Sequence, residues 1–216
     1  MPRTPDPSVR TALIEEAARL LAEDPRSLTT RRLAEAVGTS TMAVYTHFRG
    51  MNELRRAVRR EGFERLASHL EGVTTSTDPV ADVAAFGGAY MFTAVSSPHL
   101  YRFMFMEPFT GEHDDVGDST FESLVAGIER AIQAGRFEKA DPYALATQLW
   151  SSTHGVVALH LSGLLTFEEA VECMTDLGRN LFIGFGDDRV ATDRSIEAAR
   201  ERFPDVSEVV QSIAVS

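Results

Sequence analysis

The chain has 216 residues, 44% of them hydrophobic, and a formal net charge of −11. That is ample apolar material for a core without staples, and the single cysteine, Cys173, excludes an intramolecular disulfide and a cysteine-based zinc site. No apolar run approaches the ~20 residues of a membrane span and the polar, proline-rich residues 1–7 are unlike a secretory signal, so a soluble, cytoplasmic protein without membrane contact is expected.

The charge is unevenly spread. Residues 1–70 hold 12 Arg and no Lys against 9 acidic residues, a balance of +3, while the remainder carries −14. An N-terminal part that approaches a polyanion, followed by a larger acidic part that does not, fits this asymmetry.

In chain order, Asp6-Pro7 starts a first helix whose apolar face is Val9, Leu13, Ala17, Leu20 and Leu21, and Pro25 ends it. Thr29 caps a short second helix at 30–37 with Leu33, Ala34 and Val37 inward, and Gly38 supplies the left-handed turn after it. Ser40 caps a third helix at 41–47. A fourth, carrying Leu54, Val58, Phe63, Leu66 and Leu70, runs from Gly50-Met51-Asn52 to about Gly72. The polar stretch 73–79 reads as a linker. Helices are then predicted at 80–95, 99–105, 118–134, 142–165 and 166–185, the last with Thr166 and Glu169 in capping-box positions. A charged tail holds one more helix at 192–203, a break at Pro204 and a mildly apolar end. With no alternating strand pattern, the fold class is all-α. The expected segmentation is an N-terminal helical domain at 1–50, a connecting helix at 51–72, a larger helical domain at 73–186 and a charged extension at 187–216.

The second and third helices have the requirements of a helix-turn-helix, a buried brace and an exposed reader. Val44 and Phe48 share the inward face of the third helix, which turns Met42 and Thr46 outward with Thr41, Tyr45 and His47 beside them. Hydroxyls there reach phosphates or base edges, and the Met and Thr methyls suit thymine. Thr30, Arg31 and the Ser40 cap complete the candidate DNA-binding set.

The stretch Leu28-Thr29-Thr30-Arg31-Arg32-Leu33-Ala34-Glu35-Ala36-Val37-Gly38-Thr39-Ser40, followed by Val44-Tyr45-Thr46-His47-Phe48-Arg49-Gly50 and Leu54, resembles the DNA-binding signature of the TetR family of bacterial regulators. The resemblance implies an all-α homodimer that binds double-stranded operator DNA through its N-terminal helices and a ligand through its C-terminal domain. Met51 departs from the pattern, standing where the family often has a lysine, so Met51→Lys would be expected to strengthen DNA binding and steepen its salt dependence. Residues 89–105 and 150–165, with Trp150, His154 and Gly155, are similar to the subgroup whose C-terminal domain carries a tryptophan–histidine–glycine motif.

In the larger part, Phe86, Tyr90, Phe103, Phe121, Trp150 and His154 are the candidate lining of a pocket for an apolar or amphipathic effector. The same residues could instead fill a core, leaving a constitutive or architectural DNA-binding protein. Val157, Leu161, Leu164, Met174, Leu177 and Leu181, on two long apolar helices, are the candidate homodimer interface. An enzyme is the rival class: Glu112-His113-Asp114-Asp115 could hold a metal or move protons, but consecutive residues between Gly111 and Gly117 read better as a solvated loop. No metal, cofactor or catalytic residue is expected.

Overall fold

The computed structural model describes residues 6–24, 27–72, 75–105 and 115–202. Among these the chain forms ten helices and no strand: α1 (Pro7–Glu23), α2 (Thr30–Val37), α3 (Thr41–His47), α4 (Met51–Glu71), α5 (Pro79–Ser96), α6 (Pro98–Phe105), α7 (Asp115–Gln133), α8 (Pro142–Leu161), α9 (Phe167–Gly184) and α10 (Arg189–Arg200). Their starts are written in the sequence. Asp6, Thr29, Ser40, Asp141, Thr166 and Asp188 each accept a hydrogen bond from a first-turn N–H, and Thr166 with Glu169 closes a reciprocal capping box.

The helices gather into two compact units, residues 1–65 with 97–114 and residues 66–96 with 115–216. In the first, Leu13, Ile14, Leu20, Leu21, Leu33, Val44, Phe48, Leu54 and Val58 build one core. Leu100 and Phe103 of α6 belong to it, and a Cβ on Gly62 of α4 would collide with the Met104 side chain. Placing 98–105 with the effector domain therefore needs correcting: this short helix packs on α1 because its buried face, Leu100, Phe103 and Met104, completes the N-terminal core.

In the second unit, Val80, Val83, Val125, Ile128, Phe137, Leu149, Phe182, Phe185 and Ile196 form the core, with Phe137 edge-on to Phe185 at 5.4 Å. Helix α10 packs against α5 rather than standing as a separate extension. Its buried face is Thr192, Ser195, Ile196 and Ala199, and charges just before and after it are used inward. Arg136 holds Asp187 through two bonds of 2.6 and 2.8 Å and also meets Asp78 and Ser195, while Arg202, just beyond α10, reaches the buried Asp82 at 2.6 Å. Pro25, residues 73–74 of the expected linker, residues 106–114 with Glu112-His113-Asp114, and the break at Pro204 lie outside the described residues.

Candidate nucleic-acid interface and effector domain

In the first unit, α2 buries Leu33 and Ala34, and the chain turns at Gly38, whose φ of +71° lies in the left-handed region that favours glycine. Val44 and Phe48 are buried as brace residues, which leaves Met42 71% and Tyr45 56% exposed on α3. A large apolar side chain that exposed has nothing to gain from water. Ser40, Thr41 and Thr46 are exposed beside them, whereas His47 is half-buried and tilted against Phe48.

Several polar atoms of this face are already committed. The Ser40 hydroxyl accepts from the Ala43 N–H, so its first role is to cap α3. Thr46 donates to the Met42 carbonyl at 2.8 Å and presents its methyl and remaining oxygen capacity outward. Arg31 donates to Glu35 in an exposed pair at 2.9 Å, of the weak kind that a phosphate can displace.

Met51 changes most from the sequence reading. Its side chain is half-buried against the N-terminal core, and its sulfur accepts the Thr30 hydroxyl at 3.4 Å. Its side chain therefore serves packing in this structure. Thr30, one of the expected anchors, is turned toward that sulfur. A lysine at 51 would have to lift its stem off the core to reach solvent, so Met51→Lys is expected to lower the thermal midpoint rather than raise affinity broadly. Thermal unfolding beside a DNA titration checks this.

The charge lost at 51 is present nearby. Arg49, Gly50, Met51, Asn52, Glu53 and Arg56 line a shallow depression at the start of α4, where the helix end also favours an anion. Arg49 and Arg56, both exposed, escaped the sequence reading. The signal was the Arg55-Arg56 pair one turn into α4.

In the second unit, four of the six expected pocket residues converge. The Tyr90 hydroxyl lies 3.0 Å from His154 Nδ1, the Trp150 ring stands 5.6 Å from the His154 ring, and Phe121 meets Trp150 edge-on at 6.1 Å. Burial pushes the His154 pKa down, so the ring is neutral at pH 7. A neutral ring that takes the phenol proton at Nδ1 carries its own N–H at Nε2, a donor suited to a ligand oxygen. Phe86 is half-buried against the second core. Phe103 does not join them, being in the first unit's core.

A second concavity, of about 310 Å³, lies among α5, α8, α9 and α10 and is mostly apolar, with Val83, Gly87, Met91, Val171, Met174 and Ile196 in its lining. None of the six expected pocket residues lines it. Small residues mark it in the sequence: Gly87 and Gly88 on α5 and Gly178 on α9.

The expected dimer set divides. Val157 is fully buried in its own protomer and cannot meet a partner, Met174 lines the α5–α9 groove, and Leu181 packs on the second core. Leu161 and Leu177 are half-buried, and Leu164 is 72% exposed just beyond α8. Part of the apolar surface inferred from sequence is taken up within the protomer, where α8 packs on α7, α9 and α5, and α9 packs on α8 and α10. What α8 exposes instead is Tyr143, Ala144, Thr147, Gln148, Ser151, Gly155 and Leu159.

Among the described residues no cluster of His, Cys, Asp and Glu could hold a metal, and no helix is long and apolar enough to cross a membrane.

Comparison with known proteins follows the same division. The family described as "Bacterial regulatory proteins, tetR family" matches residues 13–58, and "Tetracyclin repressor-like, C-terminal domain" matches residues 83–178. An uncharacterized HTH-type transcriptional regulator of Mycobacterium tuberculosis is 26% identical over 176 residues, covering 81% of this chain and 80% of that protein. Among solved structures, a protein of unknown function from Rhodococcus sp. RHA1 superposes with a TM-score of 0.72 at 25% identity, over 87% of this chain and all of that one. RolR, solved with its ligand resorcinol, superposes with a TM-score of 0.60 at 17% identity, over 93% and 97% of the two chains.

Proposed function

Because the chain belongs to the TetR family of helix-turn-helix transcriptional regulators, we propose that it is a repressor that occupies a near-palindromic operator as a homodimer and is released by an apolar or amphipathic small molecule. The observation that carries the DNA-binding half is the pair Met42 and Tyr45, held outward on α3 by the buried Val44 and Phe48. A face so built enters a major groove. In this reading Thr41, Met42, Tyr45, Thr46 and His47 face the bases, while Arg31, Arg49, Arg56 and the start of α4 meet phosphates.

Selection of bound sequences from random duplexes tests it. Enrichment of two inverted half-sites, with centres about one or a whole number of helical turns apart, is the expected result; enrichment of none would remove the proposal. Two substitutions separate the roles. Tyr45→Ala should weaken the selected operator by about 1–3 kcal/mol and relax preference at one position of each half-site. Arg56→Ala should weaken all sequences alike and make the logarithmic salt dependence shallower by about 0.9 per subunit. A steep loss of base preference in Arg56→Ala would reverse these assignments.

For the effector, the Tyr90–His154 pair beside Trp150 and Phe121 offers polar groups within an aromatic wall. The fold that the chain shares with RolR, which was solved with resorcinol, supports a ligand of that size. The molecule acts by binding the DNA-competent and DNA-incompetent dimers with different affinity. An operator-binding assay titrated with compounds that bind the purified protein checks this, and indifference to all of them would favour the constitutive alternative.

A further inference from the structure

We propose that the groove among α5, α8, α9 and α10 is a second binding site, for an uncharged, largely apolar molecule that carries one hydrogen-bonding oxygen. It is separate from the aromatic site of the effector reading. Met91 and Thr153 line it, and each stands one position from Tyr90 or His154, about 100° around its helix.

A buried hydroxyl points to a ligand. Thr153 is only 7% exposed, lines the groove and makes no hydrogen bond among the described residues. Thr46, Thr93, Thr147 and Thr175 instead turn their hydroxyls back onto the carbonyl four residues earlier. A buried polar group left without such a bond is costly unless something else meets it. The groove is the opening through which a ligand oxygen can.

The space itself is held open by a missing side chain. Gly178 lies in the middle of α9, where glycine weakens a helix, yet a Cβ there would meet nothing within 4 Å. The resulting volume of about 310 Å³ is at the small end of ligand pockets. Met91 and Met174, flexible and polarizable, let its walls adjust to an apolar body.

Charge then selects the class of molecule. Arg200 is the charged residue of the lining, and it is occupied by the Thr175 hydroxyl at 3.0 Å and by Glu197 at 3.7 Å. The adjoining shelf on α9 presents Glu168, Glu172 and Asp176, which repel an anionic head. A cationic head would leave water for walls of carbon and sulfur with no carboxylate among them. An uncharged molecule meets neither obstacle.

Carbon-13 methyl spectra of the methionines in the full chain, titrated with 1-octanol, octanoate and octylammonium, test this with one chain length and three heads. 1-Octanol should shift the Met91 and Met174 methyls saturably, and the two charged probes should bind at least about tenfold more weakly. Thr153→Val should weaken 1-octanol by about fivefold without lowering the thermal midpoint, because the hydroxyl removed bonds to nothing in the free protein. Gly178→Leu should fill the groove and abolish the shifts, while Tyr90→Phe should leave them intact. The proposal is overturned by octanoate or octylammonium binding as well as 1-octanol, by no saturable shift up to the solubility of 1-octanol, or by unchanged affinity in Thr153→Val. Loss of the shifts in Tyr90→Phe would also overturn it, by moving the molecule to the aromatic site; absence of any effector response at that site would leave this one standing.

Discussion

Asp82→Ala is expected to lower the stability of the C-terminal unit by about 3 kcal/mol or somewhat more, seen as a fall in the urea midpoint. Asp82 is 2% exposed in the first turn of α5. Its carboxylate accepts from Arg202 at 2.6 Å, from Arg130 at 2.7 Å, and from the backbone N–H and hydroxyl of Ser76. Alanine would strand two guanidinium groups and a backbone donor around a small hole. The arginines retain partial access to water, which holds the loss toward the lower end of the usual range for a broken buried pair. Asp82→Asn keeps the shape and loses the charge, and should fall between wild type and alanine.

The same residue sets an acid limit. Hydrogen bonds from Arg202, Ser76 and Arg130 outweigh burial and hold the Asp82 pKa down at about 2, from an ordinary 3.8. A depressed carboxylate contributes its full stabilisation above the unfolded value, so it acts throughout the neutral range. The contribution declines as pH falls below about 4 and is gone below about 2. Acid titration should therefore narrow the gap between wild type and Asp82→Ala. A gap that stayed constant from pH 7 to pH 2 would mean that packing, not charge, holds this site.

The N-terminal unit was legible because its signals are local. Asp6, Thr29, Ser40 and Gly38 mark helix ends through bonds to residues two to four positions away, and Val44 and Phe48 separate brace from reader by helical spacing alone. Met51 was not legible in the same way. Its position in the motif suggested a vacant phosphate contact, but its packing depends on Thr30, 21 residues earlier. The C-terminal unit misled for a related reason. The segment after 186 reads as a solvated tail because its charges are counted without their partners, and those partners, Asp78, Asp82 and Arg136, lie 50 to 120 residues away. A long-range ion pair leaves no periodicity for a sequence reader to find. Tyr90 and His154 meet from 64 residues apart, yet they were found, because aromatic and histidine side chains in an apolar helix are unusual enough to stand out singly.

Gly155→Arg is the substitution expected to have the largest effect on function: it should give a folded monomer whose operator affinity is lower by about 10²–10⁴. Glycine in the middle of a helix costs about 0.5–1 kcal/mol relative to alanine, so it calls for a reason. None is found within the protomer, since a Cβ at Gly155 would meet nothing within 4 Å. The helix around it supplies one. All 20 residues of α8 lack Asp, Glu, Lys and Arg, in a chain of net charge −11, and the exposed members Thr147, Ser151 and Gly155 are small. A solvated helix face is normally where charge collects; an uncharged strip of small side chains lets a second backbone come close. In the homodimer proposed above, the two-fold contact is therefore expected on this face of α8, with Leu159 and Leu164 at its end. An arginine at 155 would hold two such faces apart by its length and by repulsion from its own symmetry mate. Each reader helix would keep its half-site contacts but lose the linkage that makes binding of the second half-site intramolecular. Gly155→Ala should do the reverse to the monomer, raising its thermal midpoint, while weakening association only slightly. Sedimentation at micromolar concentration decides the matter, because a Gly155→Arg protein that remains dimeric and binds operator normally would move the interface to another face.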